Sequence, residues 1–350
     1  MPFSIIQNDI TKVRADAIVN TANRHPAFGR GTDEAIYSAA GREKLLAARK
    51  KIGEMKRGEA VVTEGFDLPA NYIIHTVGPR WEGGRQREFD TLASCYRKSL
   101  QLAKVLKCES IAFPLISAGT HGFPKDKALE VALREIRSFL QDNDMDVSLV
   151  VFDRGTFELS RDLAGEVDRF IDERLGSRPN YSLRVGGSFY KRPVKEDASS
   201  NETPYSEEEE RIEAAKESVP VYDERPIGSA GLDQIMKEIG ETFQQRLLKL
   251  IDERGMTDTE VYKKANLDRK LFSKIRCNPA YRPKKKTVLA LAIALELDMN
   301  ETTDLLARAE HAFSPSNKFD LIIEYCIQTK IYDIFEINAI LFDHELPLLA

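Results

Sequence analysis

The chain has 350 residues, 42% of them apolar and 31% charged, with a formal net charge of -5 at pH 7. That length suits two cores of ordinary size better than one. No apolar run approaches the roughly 18 residues that a membrane span requires, which excludes a membrane-spanning helical protein. The net charge by itself selects no partner, because charges of opposite sign are segregated along the chain.

The N-terminal stretch "MPFSIIQNDITK" lacks a basic start followed by a long apolar run, so no secretion signal and a cytoplasmic location are expected. Up to about residue 175, short β-rich runs alternate with amphipathic stretches. "ADAIVN", "AVVTEG", "NYIIHTVGP", "SIAFPLIS" and "VSLVVFD" read as strands, being rich in Val and Ile and bounded by turn formers. "REFDTLASCYRKSLQLAKVLK" and "KDKALEVALREIRSFLQ" place apolar residues three and four apart, as helices packed on one face do. Alternation of this kind predicts an α/β domain, 1–175, whose sheet is covered by helices on both sides and whose ligands sit at strand ends.

Residues 176–231 carry Pro179, Pro193, Pro204, Pro220, Pro226 and the acidic run Glu207 to Glu210, with few large apolar side chains. Such a segment cannot offset the entropy of ordering, and a disordered acidic linker is expected. From 232 to 350 the pattern is almost wholly helical. "FQQRLLKLIDERG" ends at Gly255 as a C-cap, and "MTDTEVYKKANLDRKLFSKIR" gives two short helices around the turn "NLD". "KKKTVLALAIALEL" is a strongly apolar helix, and further short helices follow.

Cys95, Cys108, Cys277 and Cys326 show no paired spacing and are expected to be buried, reduced thiols. The five histidines are equally dispersed, so no metal and no cofactor are expected.

Two windows carry the chemistry. In "NTANRHPAFGRGTDEAIYSAAG" the group Asn20-Thr21-Ala22-Asn23 ends a strand, Gly29 and Gly31 let the loop turn tightly, and "DEAIYSAAG" starts a helix whose N-terminal dipole favours an anion. A capped loop and helix without a ligand would explain this window alone. "PLISAGTHGFPK" repeats the device after another strand, and two such loops can clamp a diphosphate through main-chain amides. Neither matches the lysine-bearing P-loop or the dinucleotide fingerprint, so triphosphate hydrolysis and hydride transfer are not supported.

"NDITK", "DAIVNTAN", "GRGTDEAIYSAAG", "YIIHTVGP", "LASCYRKSL" and "IAFPLISAGTHGFP" follow one another in an order that resembles macrodomains, modules that bind ADP-ribose. The resemblance implies a mixed sheet sandwiched between helices over 1–175. It implies that Asp9, with Ile10 beside it, accepts from the adenine amino group and that Phe152 packs on the adenine. Gly29 and Gly31, with the loop Ser117, Ala118, Gly119, Thr120, His121 and Gly122, would hold the diphosphate, with Arg30 either pointing outward or pairing with it, and Asn20 and Phe123 are counted with the ligand-binding residues. Hydrolytic members resemble one another in an Asn and an Asp ten residues later, a spacing that Asn23 and Asp33 keep here. Asn23 would orient the distal ribose while Asp33 positions or deprotonates a water. Two positions depart from the family pattern: Arg30 interrupts a run of glycines, and His121 stands where Tyr or Phe is usual.

Residues 243–310 resemble a phage-repressor helix-turn-helix inside an all-α bundle. Ten Lys and Arg residues lie between 263 and 286 with Asp268 the only acid, which predicts a basic face. Arg269, Lys270 and Lys274 on the recognition-like helix, with Lys284, Lys285 and Lys286, are the candidate nucleic-acid contacts. A bundle whose lysines only solubilise it, or which docks the acidic linker, is the alternative.

The expected protein therefore binds ADP-ribose or an ADP-ribosylated macromolecule, hydrolyses mono-ADP-ribosyl linkages or O-acetyl-ADP-ribose, and is targeted by its helical region to nucleic acid or protein. Its alternative is a non-catalytic reader in which ADP-ribose controls that region.

Overall fold

The computed structural model describes residues 2–153, 157, 159–175 and 241–349. The expected linker, 176–231 with its acidic run, lies outside them. Six strands form one mixed sheet: β1 (Phe3–Gln7), β2 (Ala17–Thr21), β3 (Ala60–Glu64), β4 (Tyr72–Thr76), β5 (Ser110–Pro114) and β6 (Asp146–Val151), in the order β1-β6-β5-β2-β4-β3. All neighbours run parallel except the antiparallel pair β3 and β4. Parallel neighbours need long crossovers, and the helices α1 (Thr32–Ala40), α2 (Arg42–Ile52), α3 (Glu88–Val105), α4 (Lys125–Asp142) and α5 (Arg161–Leu175) lie along the chain between and after the strands.

Alternation along the central strands feeds two cores. Ala17, Val19 and Ile74 face a core shared with Leu92, Tyr96, Val131 and Ile136 of α3 and α4. Ile18 and Ile73 face Ile36, Tyr37 and Leu45 of α1 and α2 on the other side. β2, β4 and β5 are buried along nearly their whole length, which leaves strand ends, rather than sheet faces, open to a ligand.

Seven helices follow among the described residues: α6 (Phe243–Glu253), α7 (Asp258–Lys264), α8 (Arg269–Cys277), α9 (Lys285–Ala294), α10 (Met299–Arg308), α11 (Lys318–Gln328) and α12 (Ile334–Asp343). Capping boxes at Thr242, Thr257 and Asp298 start α6, α7 and α10. Arg254 caps the end of α6, and Gly255, expected as the cap, is the residue after it, with φ of +60°. Nearly every side chain of α9 is buried, so it forms the centre of the helical part.

The described parts of 1–178 and 241–350 form one compact unit. The helical part is held to the sheet by direct contacts. β1 is an edge strand, and Asn266, in the turn between α7 and α8, covers it: its Nδ2 donates to the Phe3 carbonyl and its Oδ1 accepts from the Phe3 amide, each at 2.9 Å. One side-chain amide thus completes the ladder where a seventh strand would otherwise pair. Phe335 of α12 stacks on Phe3 with ring centroids 4.6 Å apart.

Cys95, Cys108 and Cys326 are buried as expected, and burial pushes the Cys95 thiol up to about 11. Cys277 is exposed. It ends α8 on the side away from the buried Phe272 and Ile275, so the expectation of a buried thiol fails there. No helix among the described residues is long and apolar enough to cross a membrane.

Candidate functional site

A cleft of about 520 Å³ opens at the carboxyl ends of β2, β5 and β6. Its walls bring together twelve of the expected residues: Asp9, Ile10, Asn23, Gly29, Arg30, Gly31, Asp33, Ser117, Gly119, Thr120, His121 and Phe152. Four others stand back. Asn20 is fully buried under the floor, Ala118 and Gly122 shape their loop without lining the cleft, and Phe123 is buried in a ring cluster with Trp81 and Phe89.

Asp33 lies in the first turn of α1 and is 2% exposed. Its Oδ2 accepts from the Gly29 amide at 2.6 Å and its Oδ1 from Asn20 Nδ2 at 2.7 Å. Those bonds draw the loop back onto the helix that follows it. A Cβ at Gly29 would stand 2.4 Å from Asp33 Oδ2 and 3.0 Å from Asn23 Nδ2, so a larger residue here must push these side chains aside. Burial raises the Asp33 pKa above the ordinary carboxylate value, although the bonds from Asn20 and Gly29 and the charge of Arg49 oppose it.

A buried chain supports Asp33 from below. Asn20 Nδ2 also approaches His75 Nδ1 at 3.1 Å, and His75 Nε2 lies 2.9 Å from Thr63 Oγ1, which donates onward to the Glu64 carbonyl. Only a neutral imidazole satisfies this order, with Nδ1 accepting from Asn20 and Nε2–H donating to Thr63. Burial holds the His75 pKa down to about 3, helped by the Arg49 charge, so the ring is neutral at physiological pH.

Arg49 of α2 is 1% exposed, and its Nη2 donates to the Asn23 carbonyl at 3.3 Å. Burial lowers its pKa, and the charges of Tyr37 and Asp33 act the other way. In sequence Arg49 sits among surface-like charges and His75 inside an apolar strand, so neither signalled a place in this assembly. The one cue was that β4 is central and buried on both faces, which obliges its histidine to find buried partners.

At the far end, Asp9 Oδ1 caps a 3-10 turn, Ile10–Lys12, by accepting from the Thr11 amide (3.0 Å) and hydroxyl (2.7 Å). Its Oδ2 has Lys12 Nζ at 4.0 Å. Phe152 is 70% exposed at the mouth. Asp9 and Phe152 both line the same end of the cleft as Asn8 and Val150.

The second loop is strained where it meets the cleft. Ser117 takes φ of +66°, its Oγ is buried without a hydrogen-bond partner, and a Cβ on Gly78 would strike that Oγ at 2.2 Å. His121 Nδ1–H donates to the Pro79 carbonyl at 3.0 Å, and its own carbonyl accepts from the Trp81 amide at 2.9 Å. Burial lowers its pKa, the Pro79 bond opposes that, and Arg57 and Arg80 reinforce it. Arg30 is exposed on the rim, with no acidic partner among the described residues.

The basic residues of the helical part divide into two kinds. Arg269, Lys270 and Lys274 of α8 are exposed, Lys274 with its ammonium 4.7 Å from the Tyr281 ring centre. Lys284, the N-cap of α9, is also exposed. Lys285 is paired with the buried Asp320 at 2.5 Å, and Lys286 lies 6.0 Å from the Phe319 ring centre with its pKa lowered by burial.

Paired loops after parallel strands, one of them backed by a helix N-terminus, define an α/β protein built to hold an anionic ligand at its strand ends. The Macro domain family matches residues 19–132. A Macro domain-containing protein of Methanosarcina mazei is 50% identical over 141 residues, 40% of this chain and 75% of that one, and the chain belongs to the macro domain family. A Klebsiella pneumoniae relative named O-acetyl-ADP-ribose deacetylase is 47% identical over 165 residues, 45% of this chain and 94% of that one. The Oceanobacillus iheyensis macrodomain with ADP is similar at 40% identity, covering 48% of this chain and 92% of that chain, with a TM-score of 0.43.

Proposed function

We propose that the cleft binds ADP-ribose and that the chain hydrolyses a bond at its distal ribose, in mono-ADP-ribosylated macromolecules or in O-acetyl-ADP-ribose. The observation that carries the reading is the placement of Asn23, Asp33 and Gly29 on one wall, between two loops that offer main-chain amides. Likeness to the Klebsiella pneumoniae deacetylase supports the chemistry. Asp9 and Phe152 take the adenine, and the Gly29 to Gly31 and Ser117 to His121 loops take the diphosphate with Arg30 pairing from the rim. Asn23 then orients the distal ribose.

For a glycosidic substrate, the water oxygen bonds to the anomeric carbon and the bond from that carbon to the acceptor breaks, its electron pair leaving on the acceptor. The water's proton passes to Asp33, whose raised pKa makes it a better base than an exposed carboxylate, and each of its oxygens retains a lone pair for the water. For O-acetyl-ADP-ribose the same water adds to the acetyl carbon and gives its proton to Asp33; the bond from that carbon to the ribose oxygen then breaks with its electron pair on the oxygen, which takes the proton from Asp33, and acetate and ADP-ribose are released.

The helical part serves as the targeting element, with α7, its turn and α8 as a helix-turn-helix whose Arg269, Lys270 and Lys274 contact nucleic acid. Turnover of both substrate types by wild type, Asn23→Ala and Asp33→Ala tests the reading. Loss of turnover in both variants, by roughly 10²- to 10⁴-fold with ADP-ribose still bound, is expected; unaltered rates would remove these residues from the chemistry.

A further inference from the structure

Between β4 and α3 the chain turns back on itself, with φ of +92° at Gly83, +82° at Gly84 and +59° at Arg87. An arginine in the left-handed region costs conformational energy that its surroundings must offset. Glu88, the first residue of α3, does so. It is 2% exposed, its Oε1 accepts from the amides of Glu82 (3.2 Å) and Gly84 (3.0 Å), and its Oε2 accepts from the Gln86 amide. One carboxylate thus fills the anion-binding nest that these amides form at the helix N-terminus. Burial acts to raise the Glu88 pKa, but these amides together outweigh it and hold the carboxyl below its ordinary range.

The same segment holds the second loop of the cleft. His121 is bound to it twice, by its Nδ1–H to the Pro79 carbonyl and by its own carbonyl to the Trp81 amide. The Trp81 ring lies 5.7 Å from that of Phe89, the neighbour of Glu88 on α3, and 4.7 Å from that of Phe123, where the loop ends. Gly84 closes this packing, since a Cβ there would stand 3.0 Å from the Trp81 ring and 3.3 Å from that of Phe89. Glu88 itself does not line the cleft. Segment 79–88 is therefore fixed by Glu88 and in turn fixes His121.

We propose that Glu88 is a positioning residue for ADP-ribose: by gathering the amides of Glu82, Gly84 and Gln86 it keeps Pro79 and Trp81 where they hold His121 and the loop that receives the diphosphate. The proposal deepens the reading of the cleft as an ADP-ribose site and rests on it. Its effect falls on binding rather than on bond breaking, because the loop meets the diphosphate in the ground state and the transition state alike. Asp16 provides the contrast. Its Oδ2 accepts from the Glu109 and Ser110 amides at 2.8 and 3.0 Å, but it stands just before β2, at the amino ends of the strands and opposite the cleft.

The test compares the full chain as wild type, Glu88→Ala, Glu88→Gln and Asp16→Ala. Calorimetry reads ADP-ribose affinity, steady-state kinetics on O-acetyl-ADP-ribose separate KM from kcat, and thermal midpoints follow stability. Truncating Glu88 at Cβ leaves a space with the shape and charge preference of acetate, so each titration is repeated in sodium acetate and in sodium chloride of equal ionic strength. Glu88→Ala is expected to raise Kd and KM roughly tenfold or more with kcat little changed. Acetate, and not chloride, restores most of that affinity and leaves wild type unaffected. Glu88→Gln, which keeps one acceptor oxygen and turns an amino group toward the remaining donor, falls between the two. Asp16→Ala lowers the midpoint and leaves Kd unchanged. A wild-type Kd in Glu88→Ala, an equal rise in Asp16→Ala, a loss that acetate does not restore, or a loss confined to kcat overturns the proposal and leaves the cleft reading intact. If Glu88→Ala does not fold, Glu88→Gln decides, and an unchanged Kd in it overturns the proposal. The binding measurements stand whether or not the protein turns substrate over. If wild type binds no ADP-ribose, the cleft reading fails and this proposal falls with it.

Discussion

Asp33 is held on both oxygens before any substrate arrives, and what holds it also sets the loop that would meet the diphosphate. Gly29→Ala therefore acts on two groups at once. Its Cβ would displace the Asp33 carboxylate, and we expect turnover to fall at least tenfold and the ADP-ribose Kd to rise, while the thermal midpoint moves by a few degrees at most; wild-type kinetics in this variant would contradict the geometry. His75 gives a second residue-scale prediction. Its folded pKa of about 3 lies below its unfolded value of 6.5, so below pH 6.5 the unfolded chain takes up a proton that the folded chain refuses. The stability present above pH 6.5 is lost progressively as pH falls toward 3, on the order of 5 kcal/mol for the full shift. Urea midpoints at pH 7.5 and 4.5 should separate more in wild type than in His75→Gln, and equal separation would mean that other groups set the acid limb. Neither Arg49 nor His75 was legible as part of the site, because each acts from below through a partner whose position only the fold supplies.

At the scale of elements, the two loops that line the cleft were legible as loops at strand ends because small residues and glycines there follow Val- and Ile-rich strands and precede helices. β2, β4, β5 and β6 showed for a related reason, since internal strands buried on both faces read as continuous apolar runs, while the antiparallel edge strand β3 showed only by its Val-Val-Thr run between turn formers. β1 did not show. It sits at the edge and pairs with β6, which is more than 130 residues away in sequence, and its apolar run is only Ile5 and Ile6. Phe123 misled in the opposite direction, since it lies within a loop motif but its ring is claimed by Trp81, 4.7 Å away. The clamp of Asn266 on Phe3 joins residues 263 apart in sequence, and no periodicity foretells it. Asn266→Ala leaves a buried amide and a buried carbonyl of β1 without partners, each at a cost of about 1–3 kcal/mol. We expect a lowered urea midpoint and faster hydrogen exchange at Phe3; an unchanged midpoint would mean that the edge is covered in another way.

Across the whole molecule, the sheet and the helical part share one continuous core, and β1 runs from the Asn266 clamp directly into Asn8, Asp9 and Ile10 at the cleft. Residues 1–178 produced without 241–350 would expose Phe3 and the faces that pack on α12, and we expect that fragment to unfold at lower temperature than the full chain. The charge pattern belongs to this scale as well. Arg269, Lys270 and Lys274 are exposed on an acidic chain, and on the proposed targeting role, reversing all three weakens nucleic-acid binding across sequences alike and flattens its salt dependence. Wild type that shows no binding at low salt would end that targeting role. The central claim is met most directly by titrating the full chain with ADP-ribose in a calorimeter and then, in the same preparation, assaying product from a mono-ADP-ribosylated macromolecule and from O-acetyl-ADP-ribose. The account predicts saturable binding with release of product; binding without turnover would leave a reader rather than an enzyme, and no binding would contradict the account at its root.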